Sequence, residues 1–248
     1  MKIYSTNKIN GLLLFLILMS TSFVAQTFCI DKKSDQIILN QEGYRYELWN
    51  QNSQGKACIT IEKGAAFSGY WNDVENYLAR RGLSYNQTKK HQEIGFFKTN
   101  FNCDYNPAKG RKGNSYLSVY GWTIDPLIEY YIVEDWRNWI PSKSKDAILK
   151  GTFNANGSTY DVYEKTRIDK PSIKGNTTFK QYFSIRRETR NKGFIDITKH
   201  FNTWESLGMQ LGKLHEVSFV VEGYKSNGSF KFKELEVLVS KSALNQDK

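Results

Sequence analysis

The chain has 248 residues, a formal charge of +10 and 15% aromatic residues, with 15 Tyr, 15 Phe and 6 Trp against only 4 Pro. That length suits one large domain or two small ones. The positive charges are scattered without a basic run, so they read as a solvated surface and not as a nucleic-acid groove.

At the N-terminus Lys2 and Lys8 precede the apolar run Gly11 to Met19, followed by Ser20, Thr21, Ser22 and Ala25. This is the layout of a secretory signal peptide, and the run is too short for a comfortable membrane span. Cleavage after Ala25 is expected, which makes the protein secreted and extracellular, with no membrane attachment after signal removal and no nucleic-acid partner. Residues 26–36 then read as an N-terminal extension, 37–240 as one domain and 241–248 as a polar tail. Export permits a disulfide among Cys29, Cys58 and Cys103, but the sequence does not choose the pair. Asn86, Asn156, Asn176 and Asn227 begin Asn-x-Ser/Thr sequons.

From Ile37 to Ser240 short strands alternate with Gly/Asn/Ser/Lys turns. Predicted strands are 46–49, 57–63, 66–71, 93–105, 115–121, 127–136, 147–153, 158–166, 177–187, 193–198, 215–223 and 229–240. Alternation in the ninth places Phe179, Gln181, Phe183 and Ile185 on one face. One segment has helical spacing instead: Phe201, Trp204, Leu207 and Leu211, with Thr198 as a candidate N-cap and Gly212 as a candidate stop. About a dozen strands and a single helix fit an all-β sandwich of two antiparallel sheets.

No nucleotide-binding glycine loop, HExxH spacing or GxSxG elbow is present, and the only histidines are His91, His200 and His215. No metal or cofactor is expected. Carboxylates remain. Glu129 lies among Tyr, Trp, Ile and Leu, and Glu222 closes the run Val217-Ser-Phe-Val-Val-Glu-Gly-Tyr224. Keeping such acids charged costs several kcal/mol unless they are held by partners. Glu134, Glu234 and Glu236 read as strand residues exposed by alternation. Two acids on different strands could act as the pair that glycoside hydrolysis requires.

The stretch Tyr120-Gly-Trp-Thr-Ile-Asp-Pro-Leu-Ile-Glu-Tyr-Tyr-Ile-Val133 resembles the nucleophile strand of glycoside hydrolase family 11, the small endo-1,4-β-xylanases. Val221-Glu-Gly-Tyr-Lys-Ser-Asn-Gly-Ser229 resembles the acid/base segment of that family. Gly157-Ser-Thr-Tyr-Asp-Val-Tyr163, Thr166-Arg-Ile-Asp-Lys-Pro-Ser-Ile173, Phe179-Lys-Gln-Tyr-Phe-Ser-Ile-Arg186 and Trp204-Glu-Ser-Leu-Gly-Met209 follow the family order. The resemblance implies a β-jelly roll of two twisted sheets with one short helix, curved around a cleft. It implies a retaining, monomeric enzyme acting on xylan, with Glu129 as nucleophile and Glu222 as acid/base. Tyr120 and Tyr131 would line the reacting sugar's site, and Arg167 and Gln181 would hold Glu129 ionised. Trp49 would stack on a distal xylose, with Tyr70, Trp71 and Tyr77 as competing aromatics. Trp122 would pack against the catalytic floor, Pro171 would sit at the tip of the thumb hairpin, and Asn76 would hydrogen-bond the acid/base and set a pH optimum nearer neutral than acidic. Phe183 stands where the family often has Trp. Alternatives are a non-catalytic xylan-binding sandwich and a β-glucanase on a similar jelly roll.

Overall fold

The computed structural model describes residues 25–30, 34–108 and 113–241; the expected signal segment through residue 24 and the tail beyond 241 lie outside the described residues. In chain order the strands are β1 Gln26–Cys29, β2 Gln36–Gln41, β3 Tyr44–Asn50, β4 Lys56–Ile61, β5 Phe67–Asn72, β6 Asn76–Ser84, β7 Phe96–Pro107, β8 Asn114–Ile124, β9 Ile128–Arg137, β10 Ala147–Ala155, β11 Ser158–Lys170, β12 Thr177–Arg186, β13 Lys192–Asp196, β14 Lys213–Leu214, β15 Glu216–Tyr224 and β16 Gly228–Ser240. Two helices interrupt them: α1 His91–Ile94 and α2 Ile197–Ser206.

The strands form two sheets, the sandwich expected from the alternation and the jelly roll implied by the resemblance. The smaller runs β1-β4-β5-β16-β7-β13, and the larger runs β10-β11-β12-β9-β8-β15-β6-β3-β2, with β14 paired to β8. Nearly every pairing is antiparallel; β12 and β9 run parallel. Alternate residues of the larger sheet face the smaller one. Ile128, Tyr130 and Ile132 of β9 and Val217, Phe219 and Val221 of β15 meet Phe67, Phe101 and Phe232 in the inter-sheet core. Each such side chain contributes about 1.5–3 kcal/mol on full burial. Tyr131 and Val133 of β9, Tyr120 and Trp122 of β8, and Phe179, Phe183 and Ile185 of β12 build a second apolar cluster on the opposite face.

Several expectations need correction. β6 was not predicted, because Asn76-Tyr-Leu-Ala-Arg-Arg-Gly-Leu-Ser84 carries two adjacent arginines. Both are buried. Arg81 points into the sandwich, where it donates to the carbonyls of Glu62 and Ala66 at 2.8 Å and lies over the rings of Tyr44 and Tyr46. Glu93, expected to open a strand, instead belongs to the single turn α1, where its carboxylate accepts from the Lys90 amide at 2.8 Å. Helix α2 begins and ends earlier than its apolar spacing suggested. Asp196 is its N-cap, accepting from the Lys199 amide at 2.9 Å, and Gly208 at φ +78° follows its end. Thr198 instead accepts from the Phe97 amide at 2.7 Å. Within the expected extension, Gln26–Cys29 is an edge strand paired to β4. Cys29 is disulfide-bonded to Cys58, and Cys103 is free and buried.

Candidate active site

The register of the larger sheet decides which side chains meet. On β8 and β9, Trp122 lies opposite Glu129 and Tyr120 opposite Tyr131. The parallel pairing of β12 sets Gln181 opposite Glu129 and Phe183 opposite Tyr131. On the other side of β8, Glu222 of β15 lies opposite Tyr116, and on β6 it lies opposite Leu78. Both acids therefore fall on the face that carries the second apolar cluster. Ile173, beyond the end of β11, packs on that cluster, so the segment that joins β11 to β12 reaches over this face.

Glu129 is buried and held on both oxygens. Gln181 Nε2 donates to its Oε2 at 2.5 Å, and Tyr120 Oη donates to its Oε1 at 2.8 Å. Trp122 Nε1 donates in turn to Tyr120 Oη at 2.5 Å, which leaves that hydroxyl's proton directed at the carboxylate. Burial pushes the Glu129 carboxyl above the usual range, while Gln181, Tyr120, the charge of Arg167 and Tyr131 pull it back.

Tyr131 joins the two acids. Its hydroxyl is 3.2 Å from Glu129 Oε1 and 3.1 Å from Glu222 Oε2. The nearest carboxyl oxygens are thus separated by no more than the sum of those distances, short of the range of about 6.5–9.5 Å found in inverting glycosidases. A phenol carries one proton and cannot donate to both carboxylates at once. Donation to Glu129 and acceptance from a protonated Glu222 satisfies all three groups. The Glu222 carboxyl is pushed up to about 7, first by burial and second by the charge of Glu129, against a hydrogen bond from Asn76 and the charge of Arg167.

The remaining expected residues divide. Asn76 reaches Glu222, as the resemblance implied. Phe183 stacks on Tyr131 with ring centroids 5.1 Å apart. Trp49 is half-buried against the second cluster, whereas Trp71 and Tyr77 stack on each other inside the sandwich and Tyr70 lies on the smaller sheet, so none of these three competes with it. Arg167 acts on both acids through its charge, and among the described residues it forms no ion pair with either. Pro171 is exposed on the hairpin, beyond contact with the acids. Glu134 is a correction: it is fully buried, bonded to Arg190 and Tyr160, because its even parity in β9 matches Ile128, Tyr130 and Ile132. Glu234 and Glu236 are exposed as expected. Tyr116 was overlooked; it shares the parity of Tyr120 and Trp122, the signal that would have found it.

An antiparallel jelly roll with two bridged carboxyls of divergent environment on one face defines a glycoside hydrolase. The model for Glycosyl hydrolases family 11 matches residues 41–233. Endo-1,4-beta-xylanase A of Bacillus pumilus is 47% identical over 190 residues, covering 77% of this chain and 79% of that protein. A xylanase/beta-glucanase of Ruminococcus flavefaciens is 39% identical over 204 residues, covering 78% of this chain and 25% of that protein. Other relatives are also longer: the chain spans 27% of an endo-1,4-beta-xylanase A of Thermoclostridium stercorarium, at 47% identity over 75% of its own length. Among solved structures, the family 11 xylanase from Neocallimastix patriciarum superposes with a TM-score of 0.79 at 32% identity, covering 87% of this chain and all of that one. The chain belongs to glycosyl hydrolase family 11.

Proposed function

We propose that this protein is a secreted, monomeric, retaining endo-1,4-β-xylanase. The observation that carries the mechanism is the bridging Tyr131, whose hydroxyl lies 3.2 Å from a Glu129 oxygen and 3.1 Å from a Glu222 oxygen. In the first step a Glu129 oxygen attacks the anomeric carbon while the bond from that carbon to the leaving oxygen breaks. Glu222 gives its proton to that oxygen, leaving a glycosyl ester on Glu129. The ester removes the charge that raises Glu222, so Glu222 ionises more readily. It then takes a proton from water, whose oxygen attacks the same carbon as the ester bond breaks. Two inversions retain the β configuration. The Cys29–Cys58 bond and the signal-like N-terminus support secretion.

The test is turnover of purified protein on xylan, with product anomers followed by NMR. β-Anomers should form first, and Glu129→Gln and Glu222→Gln should each lose turnover by at least about a hundredfold. First-formed α-anomers would rule out retention, and full activity in either variant would remove the assignment. Because one relative carries both xylanase and beta-glucanase in its name, mixed-linkage glucan belongs in the same assay; faster release from it than from xylan would favour that second reading.

A further inference from the structure

Behind Tyr120 lies a buried charged network that the chemistry described above does not use. Arg80 of β6 donates from Nη2 to Glu47 Oε2 at 2.8 Å and from Nε to Glu216 Oε2 at 3.0 Å. Arg45 reaches Glu47 at 2.9 Å, Gln36 donates to the other Glu47 oxygen at 2.7 Å, and Ser218 donates to Glu216 at 3.0 Å. Glu47, Arg80 and Glu216 are all buried. Parity puts them on the catalytic face: Glu216 and Ser218 alternate with core residues as Glu222 does, and Arg80 shares the parity of Leu78. Two arginines balance two glutamates, so the network has no net charge to offer a ligand. Buried ion networks of this kind add little stability over apolar residues of similar volume.

Its one contact with the catalytic apparatus is specific. The Arg80 guanidinium lies over the Tyr120 ring, 5.1 Å from the centroid, and Tyr120 Oη is the donor to Glu129. We propose that Arg80, clamped by Glu47 and Glu216, is a positioning residue that fixes the Tyr120 ring and strengthens its hydrogen bond to Glu129. A cation over the ring face draws electron density from the phenol and makes its O–H a better donor. Arg80 favours ionisation of Tyr120, and the anions of Glu129 and Glu216 oppose it. The charged and titratable groups around Tyr120 and Glu129 are Arg80, Glu216, Tyr131, Glu222 and Arg167. This inference rests on Glu129 being the nucleophile.

The experiment measures kcat and KM against pH on a soluble xylo-oligosaccharide for Arg80→Met, Arg80→Lys and Glu216→Gln, with melting curves and with Glu129→Gln alongside. Arg80→Met should lower kcat about tenfold with KM little changed, by loosening the Tyr120–Glu129 geometry. It should also move the acid limb of the rate profile upward by about half a pH unit. Arg80→Lys, which keeps the cation, should restore the acid limb. Glu216→Gln removes an opposing anion and should move that limb downward. An Arg80→Met protein that folds with an unchanged acid limb and kcat overturns the inference. If Arg80→Met does not fold, an unmoved acid limb in Glu216→Gln overturns it, and a downward shift supports it. Retained turnover in Glu129→Gln would instead defeat the nucleophile assignment itself, so the two failures are distinguishable.

Discussion

At the scale of single residues, the site works by giving two identical side chains different surroundings. Glu129 accepts from Gln181 and Tyr120, while Glu222 keeps its proton to about pH 7. Loss of the acid on Glu222 should therefore set the alkaline limb of kcat/KM near pH 7, which a pH–rate profile reads directly. The same shift is a statement about stability. A carboxyl raised from 4.5 when unfolded to about 7 when folded gives a contribution fully present below pH 4.5 and lost as pH rises through 7. Replacing it by Gln should therefore stabilise the fold at pH 8 by up to about 3 kcal/mol, with little gain at pH 4, measured as the difference in Tm against wild type. Tyr120→Phe removes the donor to Glu129 and orphans the Trp122 indole N–H; kcat should fall by at least about tenfold, and the acid limb should rise. Glu129 and Glu222 were legible in the sequence because acids among aromatic strand residues are conspicuous. Arg80 was not, since its partner Glu216 lies 136 residues away and no local pattern announces it; Glu134 was misplaced although its parity with Ile128, Tyr130 and Ile132 puts it on the core face, and its partner Arg190 lies 56 residues away.

At the scale of elements, the β8–β9 hairpin carries most of the catalytic floor, and its alternation was readable residue by residue. Tyr120, Trp122 and Tyr131 share the catalytic face with Glu129, and Ile128, Tyr130 and Ile132 the core, as the period of two requires. Less visible was why Gly121 sits between Tyr120 and Trp122. A Cβ there would lie 2.3 Å from both the Glu216 carbonyl oxygen and the Tyr130 hydroxyl. Those two groups are hydrogen-bonded to each other at 2.6 Å, which fastens β15 to β9 through the sheet. Gly121→Ala should consequently cost about 2 kcal/mol in chemical denaturation and displace the strand that bears Glu222. The parallel pairing of β12 with β9, which delivers Gln181 to Glu129, was hidden in the strand pattern: alternation read Gln181 as a polar residue on an apolar face, the resemblance set it beside Glu129, and the register shows how it gets there. β6 was lost to its own arginines, because strand reading treats charge as exposure and both of these side chains are buried.

At the scale of the whole molecule, one edge of the smaller sheet is fastened by the Cys29–Cys58 bond, which joins the paired strands β1 and β4 across a sequence separation of 29 residues. Reduction should lower stability by about 3 kcal/mol through the freed entropy of the unfolded chain, seen as a lower Tm with dithiothreitol while Cys103 stays buried in both forms. The twofold layering was legible from strand count and alternation and the jelly roll from the family resemblance; the strand order was not legible in the strand pattern, because it depends on pairings between distant segments. That order places the last two strands in the middle of both sheets. β15 lies between β8 and β6, and β16 between β5 and β7. During synthesis, then, neither sheet can close until β15 and β16 have left the ribosome, and the acid on β15 arrives with them. Until that point the nascent chain stays open and lacks its second acid. Stalled chains ending before residue 216 should show no protease-resistant core in limited proteolysis, and full-length chains should show one.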